Sequence, residues 1–192
     1  MGDGAGGSRR PAPAGRAHPA RSTGAWTIRA AGPGDAGRIA ALHVASWRWA
    51  YRGLLADGVL DALNVDDRAT MWTQLLADDD VTVLVAEREG ALAGFASAGA
   101  SRDDDAAQWT GEIAAIYLAE SDAGTGLGRA LFVRTQDELR RRGFTRATLW
   151  VLEANARARR FYEREGWRWD GTSSDHQIQC DRQPIVRYAA AL

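Results

Sequence analysis

The stretch AGTGLGRAL, running from Ala123 to Leu131, alternates three glycines with other residues and then opens an apolar helical pattern. A glycine turn leading into a helix exposes main-chain N–H groups, and the positive end of the helix dipole points the same way. The segment therefore reads as an anion site, with first-turn N–H groups from Thr125 to Arg129 free to donate and Arg129 as an added cation. A diphosphate would fit such a cradle. A tight turn selected for close packing is the plainer alternative, and glycines alone do not separate the two.

Two familiar phosphate loops are excluded. A dinucleotide fingerprint requires G-x-G-x-x-G, but the sixth residue counted from Gly124 is Arg129, and from Gly126 it is Leu131. A nucleoside-triphosphate loop requires a lysine, and all 24 basic residues here are arginine. Without lysine, Schiff-base catalysis is excluded as well.

The turn must be held by its neighbours. Residues 27–31 read as a strand, and Asp35 is expected to cap a helix whose Ile39, Leu42, Ser46 and Trp49 recur at helical spacing up to about Gly53. Asp66 is expected to cap a second helix striped by Ala69, Trp72, Leu75 and Leu76. Residues 81–87 and 91–99 form a hairpin pair, and 109–119 a further strand entering the glycine turn. A helix over 127–142 closes at Gly143, with arginines in its last turn to suit the dipole. The strand 145–153 leads to Asn155, which caps a helix ending at Gly166, and closing strands follow. Early hairpins and a late strand–helix–strand–helix run give an α/β (α+β) fold with a mixed sheet.

Composition sets limits on partners. A chain of 192 residues with 45% hydrophobic content supports one core, assigned to residues 25–192. Residues 1–24, rich in Gly, Ala, Pro and Arg, read as a disordered tail, and Arg9–Arg10 lack the apolar run of an export signal. A net charge of -1 argues against nucleic acid and anionic membrane as partners, and no apolar run is long enough to span a bilayer. The single Cys180 cannot form an internal disulfide, which suits a reducing cytoplasm. His176 and Cys180 are two possible ligands and do not make a metal site, so no metal is expected. His43 reads as a packed or rim histidine, and the arginines at 140–142 and 157–160 as solvated helix faces. The acidic run 103–105 reads as a solvated loop.

The stretch EIAAIYLAESDAGTGLGRALF resembles the acyl-coenzyme-A motif of the GNAT superfamily of N-acetyltransferases, and LWVLEANARARRFYEREGW is similar to that family's strand, Asn-capped helix and Tyr-containing segment. SWRWAYRGLLADGVLDALNVDDRATMW is similar to the acceptor region of a bacterial subgroup. The resemblance covers residues 26–188, with two motifs in family order. Ala123 stands where the pattern has Gln or Arg, Thr125 where a basic residue is common, and Glu120 where proline is frequent. Main-chain donors survive those changes.

What the resemblance implies is a mostly antiparallel sheet with two splayed parallel strands at its centre, flanked by helices. The activity it implies is direct transfer of an acetyl group from acetyl-coenzyme A to an amine, with no metal. Carried over, Ile116, Tyr117 and Leu118 hold the pantetheine arm along a strand edge, and Gly124, Thr125, Gly126, Leu127, Gly128 and Arg129 hold the diphosphate. Asn155 adds a coenzyme contact, and a backbone N–H such as that of Ile116 stabilises the oxyanion. Glu112 takes the family position of the general base, commonly acting through water, and Tyr162 that of the acid protonating the thiolate. A strand-end carboxylate and a packed tyrosine are the plainer roles for these two residues.

Trp49 is expected in the core and at least one of Trp47 and Tyr51 at the acceptor mouth. The expected acceptor is a primary amine of a small molecule; a protein N-terminus or lysine, or a coenzyme-binding module without turnover, are the alternatives. Dimers are common among such enzymes, so a homodimer is a further possibility.

Overall fold

The computed structural model describes residues 1, 25–178 and 181–192. The tail read over residues 2–24 and the single cysteine, Cys180, lie outside the described residues.

Among the described residues, five α-helices and seven strands follow in the order β1 (Thr27–Ala30), α1 (Ala36–Ala50), α2 (Asp57–Asp61), α3 (Val65–Leu76), β2 (Thr82–Arg88), β3 (Ala91–Ala100), β4 (Thr110–Leu118), α4 (Leu127–Arg141), β5 (Arg146–Leu152), α5 (Ala156–Arg164), β6 (Arg168–Ile178) and β7 (Asp181–Ala191). They form one sheet in the order β1-β2-β3-β4-β5-β7-β6. Every neighbouring pair is antiparallel except β4–β5. The expected mixed sheet with a parallel pair at its centre is what the chain forms.

Alternation along β2 shows why both faces are covered. Val83 and Val85 pack with Ile39, Ala40, Trp72 and Phe95 beneath α1 and α3. Leu84 and Ala86 point the other way, to Leu131 and Leu127 of α4. Because successive strand residues face opposite sides, a strand buried on both faces must be apolar at nearly every position. The second half of the sheet packs Leu149, Val186 and Tyr188 against Phe132, Tyr162 and Trp167.

Two helix starts differ from expectation. Asp35 makes no side-chain bond to the backbone at the start of α1; its carboxylate accepts from Gly32 N at 2.9 Å, from both Nη atoms of Arg29 and from Arg38 Nη1 at 3.3 Å. Residues Pro33–Asp35 already form a 3-10 turn, so Asp35 faces backward. At α3 the cap is Asn64, whose Oδ1 accepts from Asp66 N at 2.7 Å and Asp67 N at 3.3 Å. Asp66 is thus inside the helix, where an acid in the first turn opposes the dipole favourably.

The acidic run lies in a loop with Asp104 and Asp105 exposed, as read, but it is not left wholly to solvent. Asp103 and Asp105 bind the buried Arg187 guanidinium, and Asp103 accepts from Trp150 Nε1 at 2.9 Å. Nor are the helix-face arginines all free in solvent: Arg140 pairs with Asp137, Arg142 reaches Thr82 at 3.2 Å, and Arg159 donates to the Tyr188 hydroxyl at 3.2 Å.

Candidate active site

Strands β4 and β5 pair at only three positions: Thr110 with Arg146, Gly111 with Ala147 and Glu112 with Thr148. Beyond Glu112 they part. On its other side β4 carries one extra residue against β3, since Ser97 faces Ala115 while Ala98 faces Ile113, leaving Ala114 without a partner. A bulge of this kind bends its strand. The bend turns β4 away from β5 and opens a cleft of about 1170 Å³.

The open edge of β4 has a definite polarity. Ala119 N donates to Ala93 O of β3 at 2.9 Å. Strand alternation then directs the main-chain groups of Tyr117 and Ala115 to β3, and those of Ile116 and Leu118 to the cleft. Of the three residues assigned to the pantetheine arm, Ile116 therefore presents both main-chain groups to the cleft and Leu118 its N–H, the Leu118 carbonyl accepting from Ser46 Oγ at 3.1 Å. Tyr117 contributes otherwise, its ring stacked on His43 at 5.1 Å and its hydroxyl 3.2 Å from that of Tyr51.

At the C-terminal end of β4 the chain makes a 3-10 turn and reaches α4 through Gly124 and Gly126, at φ +77° and +93°. Both lie in the left-handed region, where side chains other than glycine are strained. Gly128 has a separate reason: a Cβ there would stand 3.2 Å from Leu118 Cδ1, so α4 could not approach β4 as closely. Thr125 N is engaged with Asp122 O at 3.4 Å and its hydroxyl with the same oxygen at 2.7 Å, so Thr125 is not a free donor. Among the described residues, no acceptor takes the N–H groups of Gly126, Leu127, Gly128 and Arg129. Leu127 offers only that N–H, because its side chain is fully buried. The Arg129 side chain is anchored to Glu165 at 3.2 Å. Behind the turn, Asp122 is ion-paired to Arg88 at 2.8 Å, both buried, which ties the turn to the end of β2.

Glu112 sits where the strands part and is 6% exposed. Its carboxylate accepts from Arg102 Nε at 3.1 Å and Nη2 at 2.9 Å. This hydrogen-bonded pairing raises the Arg102 pKa above its ordinary value. Across the cleft, Tyr162 is buried beside Phe132, Phe161 and Tyr188. Burial pushes its phenol pKa well up, so the hydroxyl keeps its proton at neutral pH. Asn155 caps α5 as expected, its Oδ1 accepting from Ala158 N at 3.1 Å, and lines the same cleft.

Trp47 and Tyr51 both line the wall opposite α5. Trp49 was expected in the core; it is half-buried at the cleft, with the Arg157 guanidinium 4.4 Å from its ring. Sequence reasoning missed Arg102, Arg157 and the stretch Ser174–Ile178 of β6 as cleft residues. The hairpin register carried a signal for Arg102: it follows β3 by two residues, and Gly99 lies opposite Glu112. Nothing in the sequence brings Arg157 to Trp49.

His43 packs among Trp47, Trp72, Phe95 and Tyr117, and its Nδ1 accepts from Trp72 Nε1 at 3.2 Å. Burial, followed by the nearby Arg68 charge, lowers its pKa to about 3. His43 is a packed histidine, as read. Among the described residues, no group of three or more His, Cys, Asp or Glu is placed to hold a metal, and no helix is long and apolar enough to cross a membrane.

Comparison with known proteins is consistent with this architecture. Residues 41–167 match the profile of the Acetyltransferase (GNAT) family. YuaI of Bacillus subtilis, described only as an uncharacterized N-acetyltransferase, is 35% identical over 130 residues, covering 67% of this chain and 73% of the relative. A mycothiol acetyltransferase of Acidimicrobium ferrooxidans is 32% identical over 161 residues, covering 83% of this chain but 49% of that protein. The PaiA N-acetyltransferase of Thermoplasma acidophilum, crystallised with coenzyme A, superposes with a TM-score of 0.67 at 17% identity, covering 85% of this chain and 98% of that one.

Proposed function

Since the chain belongs to the GNAT family of acetyltransferases, we propose that it transfers an acetyl group from acetyl-coenzyme A to a primary amine of a small molecule. The cosubstrate supplies an activated acetyl thioester. The observation that carries the reading is the parting of β4 from β5 beyond Glu112 and Thr148, which leaves a main-chain edge beside two proton-handling side chains.

The residues fit the cosubstrate. Four unaccepted N–H groups at the head of α4, with the helix dipole behind them, suit a diphosphate. The main-chain groups of Ile116 and the N–H of Leu118, facing the cleft, suit the amide-bearing pantetheine arm by extending the sheet. The Ile116 N–H is offered to the carbonyl oxygen, where negative charge builds during attack.

An amine arrives protonated and must lose that proton before it can attack. Glu112 takes it at a carboxylate oxygen, through a water, with Arg102 fixing the carboxylate's direction. Tyr162 gives the proton of its hydroxyl to the departing sulfur as the C–S bond breaks, and is reprotonated by the second proton that the attacking nitrogen sheds as the amide forms. Its raised pKa keeps that proton available across the neutral range.

A small acceptor is favoured over a peptide because the acceptor end is walled by Trp47 and Tyr51 on one side and by Ser174–Ile178 of β6 on another. Release of free thiol on adding each member of an amine library, with the acetylated product identified by mass, tests the reading. Thiol release with peptides and with no small amine would assign the protein to protein acetylation instead. A cytoplasmic setting suits a user of acetyl-coenzyme A.

A further inference from the structure

Charges along the cleft wall are mostly cancelled locally. Glu112 is held by Arg102, Arg129 by Glu165, Asp103 by Arg187, and Asp175 lies 3.7 Å from Arg182. Arg157 is different. Its guanidinium lies over the Trp49 ring at 4.4 Å, and among the described residues no carboxylate pairs with it. Arg52 and Arg164, which also line the cleft, likewise have no acidic partner among the described residues; Arg164 ends α5, beside the Glu165 that holds Arg129.

The placement of Arg157 is not one that helix stability selects. It is the second residue of α5, where the dipole disfavours a cation. Stacking on an indole holds the guanidinium plane while leaving its edge N–H groups free, the geometry that grips a carboxylate or phosphate with two parallel bonds.

The cosubstrate's charges, its diphosphate and the ribose 3′-phosphate beyond it on the side away from the thioester, do not account for it. Its diphosphate belongs at the head of α4, which is tied through Arg129 to Glu165 at the far end of α5. Arg157 stands eight residues earlier on that helix, about 12 Å away along its axis. The pantetheine arm and thioester that would reach this end are uncharged. Arg157 is exposed and solvated in the free protein, so it is available to a charged acceptor.

Resting on the acetyl-transfer reading, we propose that the acceptor is an amine carrying an acidic group, a carboxylate or a phosphate, which Arg157 grips while stacked on Trp49, with Arg52 adding to the local field. Grip on the acid would fix the amine's position and offset the repulsion an isolated ammonium meets at this rim.

The experiment measures thiol release from acetyl-coenzyme A with matched acceptors: amino acids and aminoalkyl phosphates beside the corresponding amino-acid amides and alkylamines. Acidic acceptors are expected to show the higher kcat/KM. In Arg157→Ala, KM for the acidic acceptor should rise roughly tenfold to a hundredfold, while KM for acetyl-coenzyme A stays within about twofold because its diphosphate sits elsewhere. Arg157→Lys should recover only part of the loss, since a point charge cannot form the two-pronged contact. Faster turnover of the neutral partners, or an Arg157→Ala defect confined to the cosubstrate's KM, would overturn this inference alone. If no amine releases thiol, the acetyl-transfer reading falls and the inference with it. The cosubstrate's calorimetric affinity confirms that each variant is folded.

Discussion

Arg102 holds Glu112 by two hydrogen bonds, Nε to Oε2 at 3.1 Å and Nη2 to Oε1 at 2.9 Å, at the point where β4 and β5 separate. The Glu112 side chain is 8% exposed and that of Arg102 77%, so a buried carboxylate is held from the solvent side by an exposed guanidinium. Replacing Glu112 with Gln should lower turnover about 10²–10⁴-fold and leave cosubstrate affinity intact. Arg102→Ala should lower kcat by a smaller factor, roughly tenfold, and should also lower the melting temperature, because it leaves the buried Glu112 carboxylate without its partner. Steady-state kinetics beside thermal melts distinguish these outcomes; an Arg102 variant with unchanged kcat would show that Glu112 needs no anchor.

Tyr162 is the proton donor in the proposed mechanism, and its hydroxyl is all that Phe lacks. Tyr162→Phe keeps the contacts with Phe132, Phe161 and Tyr188. Its turnover should fall about 10²–10⁴-fold, with the cosubstrate's dissociation constant nearly unchanged. Because burial raises the phenol pKa, the wild-type rate should show no alkaline decline from Tyr162 near pH 9. A parallel loss of binding and turnover in the Phe variant would make Tyr162 a packing residue.

Gly126 begins α4 at φ +93°, a conformation that valine cannot adopt without strain. Gly126→Val should tilt the four free N–H groups and abolish cosubstrate binding by calorimetry, with helical content retained by circular dichroism. Undiminished affinity would remove this turn as the diphosphate site.

His43 makes stability depend on pH. Its folded pKa, about 3, lies below the ordinary value of 6.5, so between those two pH values the unfolded chain binds the extra proton. The contribution is fully present above pH 6.5 and is lost as pH falls toward 3. The slope approaches about 1.4 kcal/mol per pH unit for one proton. Asp35, lowered to about 2 chiefly by its bond to Arg29, adds its own loss only below its ordinary 3.8. Urea midpoints between pH 4 and 7 should fall on acidification for the wild type and flatten in His43→Gln, whose amide can still accept from Trp72. Equal slopes in both proteins would assign the acid sensitivity elsewhere.

The glycine turn, the Asn155 cap and the order of the elements other than α2 could be read from the residues, because each depends on neighbours in the chain and on local conformational rules; the parallel pair of strands came only from the family resemblance. Gly126 must be glycine whatever surrounds it, and alternation along β2 declares its two buried faces without knowledge of the helices that cover them. The tertiary structure decided what depends on register and reach. The bulge at Ala114 parts β4 from β5, strand alternation leaves Ile116 and Leu118 rather than Tyr117 to face the cleft, and Arg102 meets Glu112 across a hairpin. Trp49 fits a helical core stripe in sequence, yet its indole meets Arg157 of α5 at the cleft. Such pairings join residues as many as 108 positions apart, at distances set by packing between whole elements rather than by any local preference of the chain.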